Sequence, residues 1–482
     1  MKILKYTLSV IMVLLTFLSP LIFIVAYAVS LPPVYSQTFF GALNEKYDRL
    51  NSLEGEKIVV VGGSSVAFGL DSELLEKYTG MPVVNFGLYA DLGTKMMLDL
   101  SLSGISDGDV VILAPELDRQ TMSLFFNHES ALMSLDDDFS MIRHLEVGDI
   151  FSCIGGSWRF AQDKRARLSG EKPIALDPIY RSEYFNEYGD FALPREENVM
   201  PYYYDRNTQI GLSEESYGSE LYEFFDYLNR YIRKCKLRGA SVYFSVCPIN
   251  SMAVEGKFDS EDILGFEELI RENVNCELIS EIGDYILDAG YFFDTNYHLN
   301  DAGVAVRTIR LAKDLRIAAG IMNGPLDEEP EAPALPFFDV SYDGEDDPVC
   351  IYYEFSELSD GSYAISGLTE EGKNKSELEI PRGINGRKVT AILSGAFDGA
   401  SCERVIIGAD TNIVIIHNGA FYGARSLKDL SIYVMNASDI MPPVDFIGVH
   451  SDFAIHVPIG SSYGDNYDWS NKADYVYDLI VK

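Results

Sequence analysis

The chain is short of basic residues. Its 482 residues include 38 Lys and Arg against 74 Asp and Glu, which gives a formal net charge of −36 at pH 7. A protein that binds nucleic acid needs a surplus of Lys and Arg to neutralise phosphates, so this charge excludes that class of partner. A strongly acidic surface fits a soluble domain in an extracytoplasmic setting.

Cysteine and histidine are also scarce, with six cysteines and six histidines in the whole chain. The cysteines are scattered, with no Cys-x-x-Cys pair or Cys/His cluster, so the sequence indicates no structural zinc site. We expect buried free thiols in place of a disulfide framework. The sequence also lacks a phosphate-binding loop and Gly-x-Gly-x-x-Gly, which disfavours a nucleotide-binding protein. No metal or organic cofactor is indicated.

Charge is absent over most of the N-terminus. Lys2 and Lys5 precede an uncharged run from Tyr6 to Leu31. That run is long enough for a membrane span of ~20 residues, and basic residues before it favour a cytoplasmic N-terminus. We predict a signal-anchor transmembrane helix over residues 1–31, in the cell membrane, with the bulk of the chain extracytoplasmic. Ala-Tyr-Ala at 26–28 leaves a cleaved signal peptide as the alternative.

Composition divides the remaining chain into four parts. We predict a stalk over residues 32–55, which begin with Pro-Pro, and an extended linker over residues 322–349, which hold five prolines among many acidic residues. Between them, in residues 56–321, apolar strand-like runs alternate with helical patterns. This alternation is typical of an α/β fold with a parallel sheet between two helix layers. Residues 350–482 form a separate C-terminal domain. The clearest helices are predicted over 72–78, 94–102 and 220–235, and the clearest strands over 83–84, 110–113 and 241–246.

Two short segments carry the candidate chemistry. Residues 57–62 are an apolar run that predicts a buried strand, and residues 63–69 after it read Gly-Ser-Ser-Val-Ala-Phe-Gly. Residues 294–300 read Asp-Thr-Asn-Tyr-His-Leu-Asn and precede a helix that Asn300 and Asp301 are placed to cap. A serine beyond a strand end, a histidine and an aspartate are the parts required for acyl transfer through a covalent ester.

The first segment resembles the nucleophile motif of the SGNH, or GDSL-type, hydrolase superfamily, Gly-Asp-Ser-Leu-Thr-x-Gly. Gly63, Ser65 and Gly69 fall on its first glycine, its serine and its second glycine. Ser65 is therefore a better candidate for the nucleophile than Ser64. The resemblance covers about residues 56–319 and implies a three-layer fold with its site beyond the carboxyl ends of the strands.

The same resemblance implies roles for four residues. His298 would be the general base and Asp294 the carboxylate that orients it. Asn-Phe-Gly at 85–87 resembles the second block of the family, whose glycine donates its N–H to the oxyanion. The oxyanion hole would accordingly consist of the N–H groups of Ser65 and Gly87.

Two features depart from the family pattern. Three residues separate Asp294 from His298, where the family has two, so a Ser65–His298 dyad stays open as an alternative. The third block of the family carries Gly-x-Asn-Asp, whose asparagine donates to the oxyanion, whereas Ala-Pro-Glu stands here at 114–116. An ionised Glu116 accepts hydrogen bonds and donates none. The sequence does not identify the group that replaces the asparagine.

Residues 118–210 are an irregular insertion rich in tyrosine and acidic residues. It is interpreted either as a lid or substrate wall beside the site, or as a packed segment without a functional role. Its tyrosines include Tyr180, Tyr184, Tyr188, Tyr202, Tyr203 and Tyr204.

The C-terminal domain contains an internal repeat. Gly-Ala-Phe-Asp-Gly-Ala at 395–400 recurs 24 residues later as Gly-Ala-Phe-Tyr-Gly-Ala at 419–424. A period in the twenties is typical of a leucine-rich-repeat solenoid, and residues 350–482 resemble BspA-type leucine-rich repeats. The resemblance implies a short capped solenoid with a protein partner. Apolar positions recur with the motif: Val389 and Ile413, Ile392 and Ile416, Ile406 and Leu430.

The leading hypothesis from the sequence is a membrane-anchored, extracytoplasmic serine esterase or O-acyltransferase. Its substrates would be acyl esters such as acetyl esters of surface glycans. The rival hypothesis is a poorly active or inactive SGNH-fold surface protein with an adhesion role through its repeats. The missing asparagine and the unusual Asp–His spacing favour the rival.

Overall fold

The computed structural model describes residues 19–480 apart from residues 175, 201–202, 206–209, 255–259, 336–338, 359, 444, 465, 467 and 471. The described residues divide into two compact units. Unit 1 lies within residues 1–198 and 209–335, and unit 2 within residues 199–208 and 336–482.

Most of the predicted signal-anchor helix, residues 1–18, lies outside the described residues. Residues 19–30 are helical. None of the helices in the described part of the chain combines the length and the apolar character of a membrane span.

A five-stranded parallel sheet forms the centre of unit 1. Strands pair in the order β2-β1-β3-β4-β6, and a separate parallel pair joins β5 to β7. This confirms the predicted α/β class with a parallel sheet. The strands are β1 (Ile58–Gly62), β2 (Val83–Gly87), β3 (Val110–Ala114), β4 (Ser241–Phe244), β5 (Ile249–Asn250), β6 (Glu277–Leu278) and β7 (Ile286–Leu287).

Helices pack around this sheet. Ile58 and Val60 of β1 share an apolar cluster with side chains of α3 and α11, whereas α4 packs against β1 and α8 against β4. The α-helices are α1 (Ala42–Ser52), α2 (Ser64–Ala67), α3 (Ser72–Thr79), α4 (Thr94–Ser101), α5 (His128–Ser134), α6 (Val147–Leu168), α7 (Glu214–Tyr217), α8 (Glu220–Leu237), α9 (Ser260–Asn273), α10 (Ile282–Tyr285) and α11 (Asp301–Ala319). Short 3₁₀ helices are Phe39–Gly41, Ala90–Leu92, Leu102–Gly104, Phe139–His144, Ser182–Tyr184, Ser251–Ala253 and Ala289–Tyr291.

Capping fixes the helix that follows the predicted histidine loop. Asn300 Oδ1 accepts a hydrogen bond from Gly303 N at the start of α11, as predicted. Asp301 does not cap the helix; its Oδ2 accepts from Arg195 N in the insertion. The loop that carries His298 is therefore tied both to α11 and to the insertion.

The prediction of a stalk over residues 32–55 is wrong. Residues 42–52 form α1, which packs against β2, and Leu43 and Leu50 are buried. Arg49 Nε also donates to Val83 O at 3.0 Å. This segment is part of unit 1.

The predicted linker over residues 322–349 contains the boundary between the two units, which falls between residues 335 and 336. Its first half contacts unit 1, where Asp327 binds Lys77 and Glu329 binds Arg310. Its second half contacts unit 2, where Asp347 binds Arg382 at 3.0 Å. Three of its acidic side chains therefore form ion pairs with the units that the linker joins.

Unit 2 contains two sheets of mostly parallel strands over one apolar core. One sheet has the order β10-β13-β15-β16-β17, and the other β11-β12-β9-β8, with β14 paired to β12. The strands are β8 (Tyr353–Glu357), β9 (Tyr363–Leu368), β10 (Glu377–Glu379), β11 (Gly383–Ile384), β12 (Arg387–Ile392), β13 (Arg404–Ile407), β14 (Ile415–Ile416), β15 (Asp429–Ile432), β16 (Ala454–Pro458) and β17 (Asp474–Leu479). Its helices are α12 (Glu370–Lys373) and the 3₁₀ helices Pro348–Tyr352 and Ala437–Asp439.

Strand register in unit 2 follows the repeat period. Ile392 pairs with Ile416, the residue 24 positions later. Leu430 lies opposite Val405, which is 25 positions earlier.

Buried cysteines accompany these cores. All six cysteines are free, and Cys153, Cys235, Cys247 and Cys402 are buried.

Candidate active site

The three central strands of unit 1 end level with one another. Gly62 of β1 lies in register with Gly87 of β2 and with Ala114 of β3. The residues that follow these ends therefore meet at one edge of the sheet, where ligands bind in open parallel sheets. Ser65 and Glu116 both belong to this edge.

Ser65 lies in the single turn of α2 and is fully buried. Its backbone N–H donates to Glu116 Oε1 at 2.7 Å, and Ser64 Oγ donates to the same oxygen at 3.3 Å. Ser65 Oγ makes no hydrogen bond within the described part of the chain. A buried hydroxyl without a partner is uncommon in proteins and requires an explanation, and a catalytic role is one such explanation.

The carboxyl of Glu116 covers the turn that carries Ser65. Burial, with a contribution from Asp118, raises the pKa of Glu116 to about 7, although hydrogen bonds from Ser65 and Ser64 lower it. A Cβ at position 63 would lie 2.0 Å from Glu116 Oε2, so a larger residue there would require the carboxyl to move. With a pKa of about 7, Glu116 is partly protonated near neutral pH, and only its ionised form is restricted to accepting hydrogen bonds.

Neither N–H group predicted for the oxyanion hole is free. That of Ser65 donates to Glu116, and that of Gly87 donates to Asn85 Oδ1 at 2.9 Å. Gly87 is a glycine for a packing reason, since a Cβ there would lie 2.3 Å from the backbone N of Ala67 in α2. The predicted oxyanion hole is thus not preformed in this structure.

His298 and Asp294 meet despite their unusual spacing. Nδ1 of His298 lies 2.8 Å from Asp294 Oδ1. The extra residue is taken up by a tight turn, in which Thr295 Oγ1 accepts from the N–H groups of Tyr297 and His298. His298 Nε2 has no hydrogen-bond partner among the described residues, so the nitrogen that a base would use stays available.

Tyr180 is a site residue that the sequence did not identify. Its buried hydroxyl donates to Asp294 Oδ2 at 2.8 Å and lies 3.3 Å from His298 Nδ1. Burial and the neighbouring Asp294 raise the pKa of Tyr180 well above its ordinary value, so it remains a donor. Tyr180 belongs to the insertion, which therefore forms one wall of the site. It lies 114 residues from Asp294 along the chain, and no local pattern marks it.

Phe68 joins the histidine loop to the serine turn. Its ring stacks on the imidazole of His298, with centroids 4.1 Å apart and an interplanar angle of 8°. Phe68 follows Ser65 by three residues at the end of α2, so this stacking places the imidazole beside the turn. Ser65 Oγ and His298 are not hydrogen-bonded to each other in this structure.

Arg195, from the insertion, holds Phe68 in place. Its Nη1 donates to Phe68 O at 3.0 Å, and its guanidinium carbon lies 5.5 Å from the centre of the Phe68 ring. Arg195 is buried, and this burial lowers its pKa to about 10. The insertion thus supports both partners of the stacked Phe68–His298 pair.

A buried polar network fixes the end of β2. Lys46 Nζ donates to Gly87 O at 2.7 Å and to Gly189 O at 2.5 Å. Asn85 Nδ2 donates to Asp190 Oδ1 at 2.8 Å, and all these polar side chains are buried. Such a network is expected to hold the strand end rigidly, because breaking any one bond leaves a buried polar group unpaired.

Two surface cavities are lined by residues other than those of this site. One of about 440 Å³ is lined by residues of α8 and by Asn275, and one of about 500 Å³ is lined by residues of unit 2. Neither is lined by Ser65, His298 or Asp294.

Comparison of the chain with protein-family models, with curated proteins and with solved structures finds no match.

Proposed function

We propose that unit 1 is an SGNH-like serine hydrolase or O-acyltransferase acting on acyl esters, with acetyl esters of surface glycans as the substrate class. The observation that supports this most is the His298–Asp294 pair at 2.8 Å, with the free Nε2 of His298 beside the turn that carries an unpaired serine hydroxyl. A serine, an imidazole and a carboxylate in this relation are the working parts of nucleophilic acyl transfer.

In the proposed reaction, Ser65 Oγ attacks the ester carbonyl and gives its proton to His298 Nε2. The tetrahedral intermediate collapses, and the leaving alcohol takes that proton while the acyl group stays on Ser65. Water completes a hydrolysis, whereas a sugar hydroxyl completes a transfer. Asp294 stabilises the imidazolium, and Tyr180 holds Asp294 through the 2.8 Å hydrogen bond.

We assign the missing oxyanion donor to Glu116 in its acid form. A carboxyl kept neutral by burial can donate a hydrogen bond to an oxyanion near neutral pH. Glu116 has a pKa of about 7, and its Oε2 has no partner within the described residues. Turnover should therefore fall as the pH rises above about 7, and Glu116→Gln, whose amide donates at any pH, should remove this fall.

Hydrolysis of a chromogenic acetyl ester by the full chain tests the proposal. Ser65→Ala and His298→Asn should each lower kcat by roughly 10³-fold or more. Ser64→Ala is the matched control, since it removes a hydroxyl from the neighbouring residue, and it should retain activity within about threefold. Loss of activity in Ser64→Ala with retention in Ser65→Ala would overturn the assignment.

The alternative is a surface interaction protein that keeps the hydrolase fold without its activity. The burial of Ser65 and the occupied N–H groups of Ser65 and Gly87 favour it. It predicts no turnover by the folded wild-type chain on any ester of a broad panel.

We further propose that the chain is anchored in the cell membrane by residues 1–31, with its bulk extracytoplasmic. Residues 350–482 would form a short BspA-type leucine-rich-repeat solenoid that binds a protein partner. The contact between the phenylalanines at equivalent repeat positions supports this, since the ring centroids of Phe397 and Phe421 are 5.0 Å apart. Phe446 stacks on the other side of Phe421, with ring centroids 5.7 Å apart.

A further inference from the structure

Helix α6 carries a row of large apolar side chains that face away from the protein. Val147, Phe151 and Trp158 are 68%, 65% and 52% exposed, and Ile154 between them is half-buried. Their spacing of four, three and four residues places them along one stripe of the helix. An apolar stripe left exposed on a long helix marks an interaction surface. The buried residues of α6 are Asp149, Cys153, Ser157, Phe160, Ala161 and Lys164.

The C-terminal end of the helical segment 19–30 is hydrogen-bonded to Lys164 of α6. Lys164 Nζ donates to Leu31 O at 2.8 Å and to Ala28 O at 3.4 Å, and it forms a buried ion pair with Asp136. Lys164 follows Trp158 by six residues, or ~9 Å along a helix that rises 1.5 Å per residue. The apolar stripe thus starts within about two helical turns of the point where the N-terminal helix ends.

The N-terminal helix is itself apolar on its outside. Leu21, Ile22 and Phe23 are 36%, 57% and 71% exposed. The uncharged run that contains them extends back to Tyr6. A run of this length and composition is stable in a lipid bilayer and costly to expose to water.

We propose that α6 lies on the membrane surface, with Val147, Phe151, Ile154 and Trp158 among the lipid headgroups and the upper acyl chains. Phenylalanine and tryptophan are typical of this position, and the exposed Arg165, which continues the stripe about two turns beyond Trp158, can bind lipid phosphate. The proposal rests on the membrane anchor, and it does not depend on catalysis by Ser65. Contact of α6 with the bilayer would hold unit 1 in a fixed orientation on the membrane surface.

Tryptophan fluorescence can report on this contact, because the chain has only two tryptophans. Trp158 lies in the stripe, whereas Trp469 is fully buried in unit 2. The full chain is reconstituted in vesicles of phosphatidylcholine and phosphatidylglycerol whose acyl chains carry bromine near the headgroup or near the chain end. Trp469→Phe reports on Trp158 alone, and Trp158→Phe is the matched control that reports on Trp469.

The proposal predicts loss of Trp158 emission with bromine near the headgroup, a smaller loss with bromine near the chain end, and no loss of Trp469 emission. If Trp469→Phe does not fold, the difference between the wild-type chain and Trp158→Phe gives the same quantity. Failure of the chain to float with the vesicles overturns the proposal together with the anchor. Flotation with unquenched Trp158 overturns the surface contact alone, and cross-linking through α6 would then assign the stripe to a second copy or another protein.

Discussion

At the scale of single residues, Glu116 is the side chain that both contacts the turn carrying Ser65 and has a proposed role in the reaction. It stands where the SGNH-type motif that the sequence resembles has an asparagine, accepts a hydrogen bond from the N–H of Ser65 at 2.7 Å, and lies where a Cβ at position 63 would be. Its buried carboxyl also has a measurable consequence for stability, because the folded protein binds its proton more tightly than the unfolded chain does.

Glu116→Gln should flatten the dependence of stability on pH. The pKa of Glu116 is about 7 in the folded state against an ordinary 4.5, so the folded state holds the extra proton between these values. The contribution of Glu116 to the free energy of unfolding is fully present below about pH 4.5. It is lost as the pH rises through about 7, and the loss is about 3 kcal/mol. Urea unfolding of unit 1 followed by Trp158 fluorescence between pH 4.5 and 8 measures the slope.

The control for this measurement is the exposed Glu215→Gln, which should leave the slope unchanged. Asp118 also has a raised pKa through burial, so some slope should persist in Glu116→Gln. A slope identical to that of the wild-type chain would show that Glu116 is ionised in the folded protein, and would exclude it as an oxyanion donor.

Tyr180→Phe should lower kcat by about tenfold with little change in KM. The substitution removes a hydrogen bond to the Asp294 carboxylate, and bonds to charged groups contribute roughly 1.5–3 kcal/mol. Asp294 then holds the imidazole less firmly, so the low-pH limb of kcat against pH should also shift. Tyr184→Phe, in the same aromatic cluster, is the matched control. Equal effects of both substitutions would indicate packing alone.

Ser65, His298 and Asp294 were identified from their motifs, because each motif is local in sequence. The structure adds the 2.8 Å contact between His298 and Asp294, which could not be predicted from their spacing in the sequence. Tyr180, Phe68 and the state of Glu116 could not be predicted in the same way. They depend on contacts between distant segments and on burial, neither of which leaves a local pattern.

The element that positions Ser65, the proposed nucleophile, is the single turn of α2. It is held between Glu116 above Gly63 and the end of β2 at Gly87, and it is too short to be stable alone. The geometry of Ser65 therefore depends on close approach of the backbone at two glycines.

Gly63→Ala should destabilise unit 1 by about 1–3 kcal/mol and reduce turnover. The added Cβ would lie 2.0 Å from Glu116 Oε2, so the carboxyl or the turn must move. Gly265→Ala is the control, since nothing lies within 4 Å of its Cβ, and it should be neutral or stabilising by up to about 1 kcal/mol. Urea unfolding and ester hydrolysis measure both effects. An unchanged stability in Gly63→Ala would contradict the close packing of Glu116 on the turn.

Elements with strong periodicity were predicted from sequence, and weakly marked ones were not. The predicted helix over 72–78 is α3, and the predicted strands over 83–84 and 110–113 are β2 and β3. Within the predicted stalk, the polar sequence of residues 44–50 is compatible with a loop or a short helix, and the structure has helix α1 there. Leu43, Tyr47 and Leu50 recur at helical spacing and are buried, whereas the polar composition and the preceding prolines favour a stalk.

At the scale of the whole molecule, each unit has its own apolar core and its own tryptophan. The core of unit 2 includes Phe397, Phe421 and Trp469. The indole of Trp469 donates to Ile440 O at 2.8 Å, so its fluorescence reports on the packing of unit 2.

Phe421→Ala should destabilise unit 2 by about 3–5 kcal/mol, since it leaves a cavity between two stacked phenylalanines. The urea midpoint reported by Trp469 should fall, while that reported by Trp158 stays unchanged. Tyr422→Ala, at the next and 61% exposed position, is the matched control and should change stability by less than about 0.5 kcal/mol. A parallel fall of both midpoints would show that the chain unfolds as one cooperative body.

The division into two units is predicted from the change in composition and the repeat, and the boundary at residues 335 and 336 falls within the predicted linker over 322–349. The sequence does not predict that Asp327, Glu329 and Asp347 form ion pairs within the units. Charge that repels in an isolated segment becomes attractive once lysine and arginine partners are brought near it by the fold.

The most direct test of the central claim is the site of covalent labelling by a fluorophosphonate. Attack by a serine oxygen on phosphorus forms an O–P bond and expels fluoride, and His298 takes the serine proton. Peptide mapping by mass spectrometry of the labelled full chain should place the adduct on Ser65, with labelling lost in Ser65→Ala and His298→Asn and kept in Ser64→Ala. An adduct on Ser64, or a folded wild-type chain that takes no label, would contradict the account.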